Sequence, residues 1–241
     1  MKLLDLPQGM KERRLFGFFD DFLWYISPHL WTSFNTGSGG ASVAVGASAF
    51  GGTAVLTTGA TANNEAAIAT TNSPFTPGDD KPLLFETLLQ FTEAASNKAN
   101  IFAGFSDSVG ASGQMQAASA GPKANFNGFG IYKVGNTNVW ACITSKGAAQ
   151  TLTPSQVAAG GAAQQTLRVE AQPIDAANME ISFFVNGQQL LDASNRPIKH
   201  IVNYTSFAAL QAGVYVAAGA AASEVVSVDY AAAYQQRAAV Q

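Results

Sequence analysis

Residues 179–185 place an apolar side chain at every second position, and an Asn186-Gly187 dipeptide follows directly. No other feature constrains this chain's fold as tightly. Met179, Ile181, Phe183 and Val185 fall on one side of an extended segment, because strand side chains alternate with period two. Asn-Gly then supplies the two positive-φ positions of a tight type I′ turn, so residues 188–191 are expected to return as the partner strand. A second amphipathic run, residues 166–171, places Leu167, Val169 and Ala171 on a single face. One apolar and one polar face, strand after strand, describes sheets packed against each other.

The rest of the chain extends the pattern. Strands are expected at 41–45, 53–57, 82–91, 100–107, 212–217 and 225–230, with a hairpin of 130–134 and 139–143 around Gly135-Asn136. An aromatic stretch, 15–24, with Trp31 and Phe34 anchors one end of the core, and Asp20-Asp21 within it reads as an exposed strand edge or a polar corner. Pro74, Pro77 and Gly78 mark a loop. Residues 108–127 are small and polar and read as a long loop, a better place for function than any strand. Short strands, turn signals throughout and no convincing long helix indicate an all-β fold, an antiparallel two-sheet sandwich. A length of 241 residues suits one such domain, 15–241, preceded by an arm, 1–14, that Pro7 and Gly9 break.

Charged residues make up only 12% of the chain, about half the usual share. A surface of Ala, Gly, Ser, Thr, Asn and Gln suits a protein packed against copies of itself or a large partner; an Ala/Gly-rich genome gives the same composition. A net charge of −3 argues against nucleic acid, which calls for a concentrated basic face. The one basic cluster, Lys11, Arg13 and Arg14, is interrupted by Glu12. No run approaches the ~18 apolar residues of a membrane helix, and Asp5 and Pro7 interrupt any secretory signal, so no membrane partner is expected. Cys142 lies in the apolar run 139–143 and is expected to be buried and inert.

A search for chemistry finds little. Glycoside hydrolysis needs two closely placed carboxylates. Glu86 stands alone on an apolar strand, and Glu170 and Glu180 sit on different strands without a neighbouring acid. His29 and His200 have no Gly-x-Ser-x-Gly elbow beside them and read as structural residues. Zinc would need clustered Cys and His. Asp79, Asp80 and Asp107 offer oxygen ligands for calcium, although Asp79-Asp80 equally fits a turn in which Asp caps its own backbone. No phosphate-binding Gly-rich loop is present. The expectation is a protein that is not an enzyme, with no catalytic, cofactor-binding or metal-binding residues.

The order of elements resembles the concanavalin A-like (laminin-G-like) jelly roll. The matching pieces are Phe19-Asp-Asp-Phe22, Phe85-Glu86, Phe102-Ala-Gly-Phe-Ser-Asp107, Leu167-Arg-Val-Glu170, Phe183-Phe-Val-Asn-Gly187 and Val228-Asp-Tyr230, which span residues 15–232. In the alginate-lyase branch of that fold an Arg/Glu/Arg strand carries the chemistry, and Glu86 has no flanking Arg. Within the superfamily the chain looks most like bacteriophage virion proteins. That resemblance implies a non-enzymatic protein of the virion, assembled in the host cytoplasm, that decorates or attaches to the capsid. Its partners would be the major capsid protein or another virion component and copies of itself (a homo-oligomer). Lys11, Arg13 and Arg14 of the arm would meet acidic capsid groups. The alternative is a carbohydrate-binding, host-recognition module holding a surface glycan. Tyr132 and Trp140 with the Asn-rich 125–138 segment would then form an aromatic platform with hydrogen-bonding neighbours, whereas as core aromatics the two rings would be buried.

Overall fold

Alternating apolar side chains do build two sheets, and their apolar faces meet. The computed structural model describes residues 15–23, 29–37, 40–48, 51–110, 113–116 and 119–237. Its strands are numbered in chain order. One sheet of nine contains β1 (Leu15–Asp20), β3 (Ser42–Ser48), β4 (Gly51–Thr57), β6 (Leu83–Glu93), β11 (Gln165–Pro173), β12 (Asn178–Val185), β13 (Gln188–Gln189), β14 (Lys199–Asn203) and β16 (Glu224–Gln236). The other, of seven, contains β2 (Trp31–Thr36), β5 (Glu65–Thr70), β7 (Ala99–Ser106), β8 (Phe126–Lys133), β9 (Val139–Gly147), β10 (Ala149–Ala158) and β15 (Gln211–Ala218). The orders are β13-β12-β11-β6-β16-β4-β3, with β1 on β16 and β14 on β12, and β10-β9-β8-β7-β15-β5-β2. Neighbouring strands run antiparallel throughout, and the architecture is a two-sheet jelly-roll sandwich.

Between the sheets lies one continuous core. β6 contributes Leu83, Phe85, Leu89 and Phe91, β12 contributes Met179, Ile181, Phe183 and Val185, and β15 contributes Ala212, Val214 and Val216. Full burial of one such large side chain stabilises the fold by ~1.5–3 kcal/mol. Cys142 belongs to this core and is fully buried, with its thiol pushed up by burial. His200 is buried as well: its ring lies 3.3 Å from Thr144 Oγ1 and 2.9 Å from Thr153 Oγ1, edge-on to Phe183. It therefore ties β14 of one sheet to β9 and β10 of the other.

The turn at Asn186 (φ 51°) and Gly187 (φ 76°) has the two positive-φ residues expected of it. Its return strand is shorter than expected, because only Gln188 and Gln189 pair with β12 before the chain leaves and β14 takes over that edge. Strands β2, β5, β10 and β14 occupy stretches in which no strand was expected. β10 carries Pro154, which an edge strand tolerates because one row of its N–H groups has no ladder to join. β16 is longer than expected: after a register shift between Val228 and Tyr230 it continues to Gln236 beside β1. The expected arm, 1–14, with Lys11, Arg13 and Arg14, lies outside the described residues.

Candidate functional site

The seven-stranded sheet has a second apolar face, turned away from the core. Register places Ala67, Tyr215, Phe102, Tyr132 and Ala141 side by side across β5, β15, β7, β8 and β9. The next row is Ala69, Gly213, Gly104, Gly130 and Ile143, with three adjacent glycines. They leave room for the rings beside them. A Cβ on Gly130 would stand 2.7 Å from the Phe102 ring, and one on Gly104 only 2.4 Å from the Phe129 carbonyl oxygen.

These rings are not exposed, because the chain crosses over them. The segment between β7 and β8 folds back as a short hairpin, with Gln116 N–H donating to Gly121 O and Lys123 N–H donating to Gln114 O. Met115 is 2% exposed and packs with Phe102, Tyr132, Tyr215 and Phe126. Gln114 is buried, and its amide donates to Ser106 Oγ (3.0 Å) and to the Ser108 carbonyl. At the far end of the strap, Ser119 Oγ accepts from Asn100 Nδ2 (3.4 Å). The strap thus runs the length of β7, from Ser106 back to Asn100.

One corner of this face stays open and polar. A pocket of about 40 Å³ is lined by Asn63, Glu65, Asn100, Gln116 and Tyr215, with Ala217 and Ala218. Glu65 accepts hydrogen bonds from Tyr215 Oη (2.7 Å) and Thr36 Oγ1 (3.4 Å). Burial, then the adjacent Glu65 charge, pushes the Tyr215 phenol far above its usual range, so it stays a donor to that carboxylate. Asn100 accepts from Gly135 N–H (2.9 Å) and donates to Ala217 O (3.3 Å), which fixes its amide. Asn63, at φ 67°, and Gln116 stand exposed at the mouth. A larger cleft, about 220 Å³, opens elsewhere against Phe16, Phe18, His29, Asn72 and Phe75, and its lining is mainly apolar.

The structure separates the two rings of the alternative aromatic platform and buries both. Tyr132 pairs with Ala141, so Trp140, one residue out of step, points through the opposite face of the sheet. Trp140 is fully buried in the core against Phe91, and its Nε1–H donates to Gln165 Oε1 (2.8 Å). Tyr132 lies under the strap at 6% exposure, where burial pushes its phenol up to about 12. Neither ring offers a sugar a surface.

Asp79 accepts from Asp80 N–H (3.1 Å), and the Asp107 oxygens accept from Asn127 N–H (3.0 Å) and Nδ2 (2.7 Å). Asp79 holds a turn, and Asp107 ties the end of β7 to the start of β8. Among the described residues no three Asp, Glu, His or Cys gather as metal ligands. Glu86 does have an Arg beside it, supplied by the next strand: Arg168 Nη1 lies 3.8 Å from Glu86 Oε2. Of the pocket residues, Gln116 lies in the 108–127 segment singled out in the sequence, whereas Asn63, Glu65, Asn100 and Tyr215 went unnoticed. The available signal was polar Asn63-Asn64-Glu65 and Asn100, each opening a strand that is otherwise apolar.

No protein-family model and no curated protein matches this chain. Solved structures do. Peanut lectin superposes with a TM-score of 0.63 at 10% identity, covering 92% of this chain and 97% of the lectin. An endo-1,3-beta-glucanase from Streptomyces sioyaensis gives 0.61 at 15%, covering 96% and 98%. The carbohydrate recognition domain of Emp46p gives 0.57 at 11%, covering 92% and 96%. At such identities the likeness is one of fold, and the fold is the lectin-type, concanavalin A-like jelly roll.

Proposed function

We propose that this protein is a non-catalytic carbohydrate-binding module that holds a sugar at the open polar corner of the seven-stranded sheet. The convergence of a carboxylate, a phenol and three carboxamides on one pocket, at the end of an apolar sheet face, carries this reading. Carboxamides both donate and accept, and the carboxylate accepts, which suits the paired hydroxyls of a sugar. A pocket of about 40 Å³ takes a hydroxyl or hydroxymethyl arm rather than a ring. The ring would rest at the mouth, between Asn63 and Gln116. Glu65 is the one acid in the lining, and glycoside cleavage needs a pair of carboxyls about 5–9.5 Å apart, which is why the reading is binding without hydrolysis. The lectin and the carbohydrate recognition domain of like fold support it. The virion-surface role expected from composition and family likeness has no counterpart among those structures.

A glycan array followed by calorimetry on the best ligand tests this. Asn63→Gly keeps the positive-φ backbone and removes the amide; it and Gln116→Ala, which also removes the Nε2–H donation to Pro122 O (2.7 Å), should each weaken binding about tenfold, ~1.4 kcal/mol, while both variants remain folded. An array with no retained glycan, or two variants that bind as well as the parent, overturns the proposal. Release of reducing ends from the bound glycan would overturn its non-catalytic part.

A further inference from the structure

The outer face of the nine-stranded sheet carries an ordered row of side chains. Register aligns Phe19 of β1, Ala232 of β16, Glu86 of β6, Arg168 of β11 and Phe184 of β12 across five consecutive strands. Phe19 is 58% exposed and stacks on Tyr230, with ring centroids 5.3 Å apart. Tyr230 Oη donates to Glu86 Oε1 (2.8 Å). Arg168 lies between Glu86 (3.8 Å) and Glu170 (3.1 Å), with its guanidinium 4.4 Å from the Phe184 ring centre. Leu84, Leu88 and Tyr234 fill the neighbouring rows.

The geometry points to a two-fold dimer in which this face packs against the same face of a second copy, about an axis through Glu86. β6 is the middle strand of the five, so rotation about it exchanges β1 with β12 and β16 with β11. Phe19 of each copy then meets Phe184 of the other. Each Arg168 comes to lie over the other copy's Ala232, a small residue, beside the other copy's Glu86. The two Glu86 carboxylates then face each other at the axis between the two Arg168 guanidinium groups, each of which also keeps its own Glu170, so the same patch meets itself, as an isologous interface requires. Aromatic residues and Arg are the types enriched at such contacts.

Five strands at ~4.8 Å spacing and six residues along β6 give a plane of roughly 19 by 20 Å, about 400 Å² per copy before side-chain relief. Two such faces give about 800 Å², below the ~1,000 Å² of a stable interface, so the contact is a weak, transient one. The dimer should accordingly dissociate in the micromolar range.

Sedimentation velocity on the full chain, from about 1 to 300 µM, reads the association directly. The parent should approach twice its monomer mass. Phe19→Glu should raise the dissociation constant at least tenfold, whereas Leu152→Glu, at a 44% exposed site on the other sheet, should leave it unchanged. For the axis itself, chains carrying Phe19→Cys and Phe184→Cys are mixed and oxidised. A disulfide that needs both variants is expected. Within one chain the two positions are about 19 Å apart, beyond the ~7 Å Cα limit for a disulfide. A monomer across the range overturns the proposal, and so does a dimer insensitive to Phe19→Glu. Crosslinking within either variant alone, and not between them, overturns the placement of the axis.

Discussion

Glu224 and His200 show how a single buried residue sets the pH response. Glu224 is fully buried opposite Glu93 in the β16–β6 register. Glu93 is already engaged by Lys133 Nζ (2.7 Å) and by the N–H groups of Asn97 and Ala99. Burial first, and the Glu93 charge second, push the Glu224 carboxyl from 4.5 up to about 7. Between those values the folded chain holds a proton that the unfolded chain has released, so this residue makes stability fall as pH rises. His200 is the reverse. Burial lowers it from 6.5 to about 4, so the unfolded chain takes a proton that the folded chain refuses, and stability falls as pH drops through that window. The two windows overlap with opposite slopes, which flattens the parent's pH dependence between pH 4.5 and 6.5. Glu224→Gln should stabilise the protein above pH 7 by about 1–3 kcal/mol and leave it unchanged near pH 4. It should also unmask a melting temperature that climbs with pH across the acid range. A variant whose melting curve runs parallel to the parent's would show that Glu224 is ionised when folded. His200 reads in the sequence as a surface or half-buried structural residue, and the structure buries it between the sheets, whereas Glu224 opens a strand like any edge carboxylate and was not legible.

At the scale of elements, legibility followed side-chain alternation. β6, β7, β11, β12 and β15 alternate or run apolar between turn residues, and each lies where the sequence placed it. β5 has one large apolar residue, Ile68, among five small or polar ones, and all six are buried, so its burial comes largely from neighbouring strands β15 and β2. β10 exposes most of its residues and contains Pro154. Such strands exist because a sheet edge recruits them, a tertiary cause that a local window does not contain. The 108–127 segment was legible as a loop. Its packing was not, because the apolar face it covers is assembled from five strands, two of which, β5 and β15, are far away in sequence. Met115 carries that packing, and Met115→Ala should cost about 2–3 kcal/mol. Amide exchange should then accelerate at 113–116, while the β7 amides stay protected, since they remain paired to β8 and β15. Equal acceleration in β7 would mean that the strap is integral to the sheet rather than laid upon it.

At the scale of the whole molecule, the two proposed surfaces belong to different sheets. The sugar pocket opens on the outer face of the seven-stranded sheet, and the self-complementary row lies on the outer face of the nine-stranded one. Joining two copies through the latter turns their pockets away from each other. Such a dimer gains no avidity on one flat glycan surface, because both pockets cannot reach it together; it bridges two surfaces instead. Composition alone could not distinguish this from a lattice-bound coat protein, since a weakly charged surface serves either, and the difference lies in which faces are apolar and how they are oriented. Beads coated with the best array ligand give the test. The parent should cross-link them at concentrations above its dimer dissociation constant, read as turbidity reversed by free ligand. Phe19→Glu should bind the same beads with unchanged affinity per chain and leave them dispersed. Were Phe19→Glu to clump the beads as well as the parent, bridging would have to come from two sugar sites on one chain. Were it to lose binding altogether, Phe19 would belong to the sugar site and not to an interface between copies.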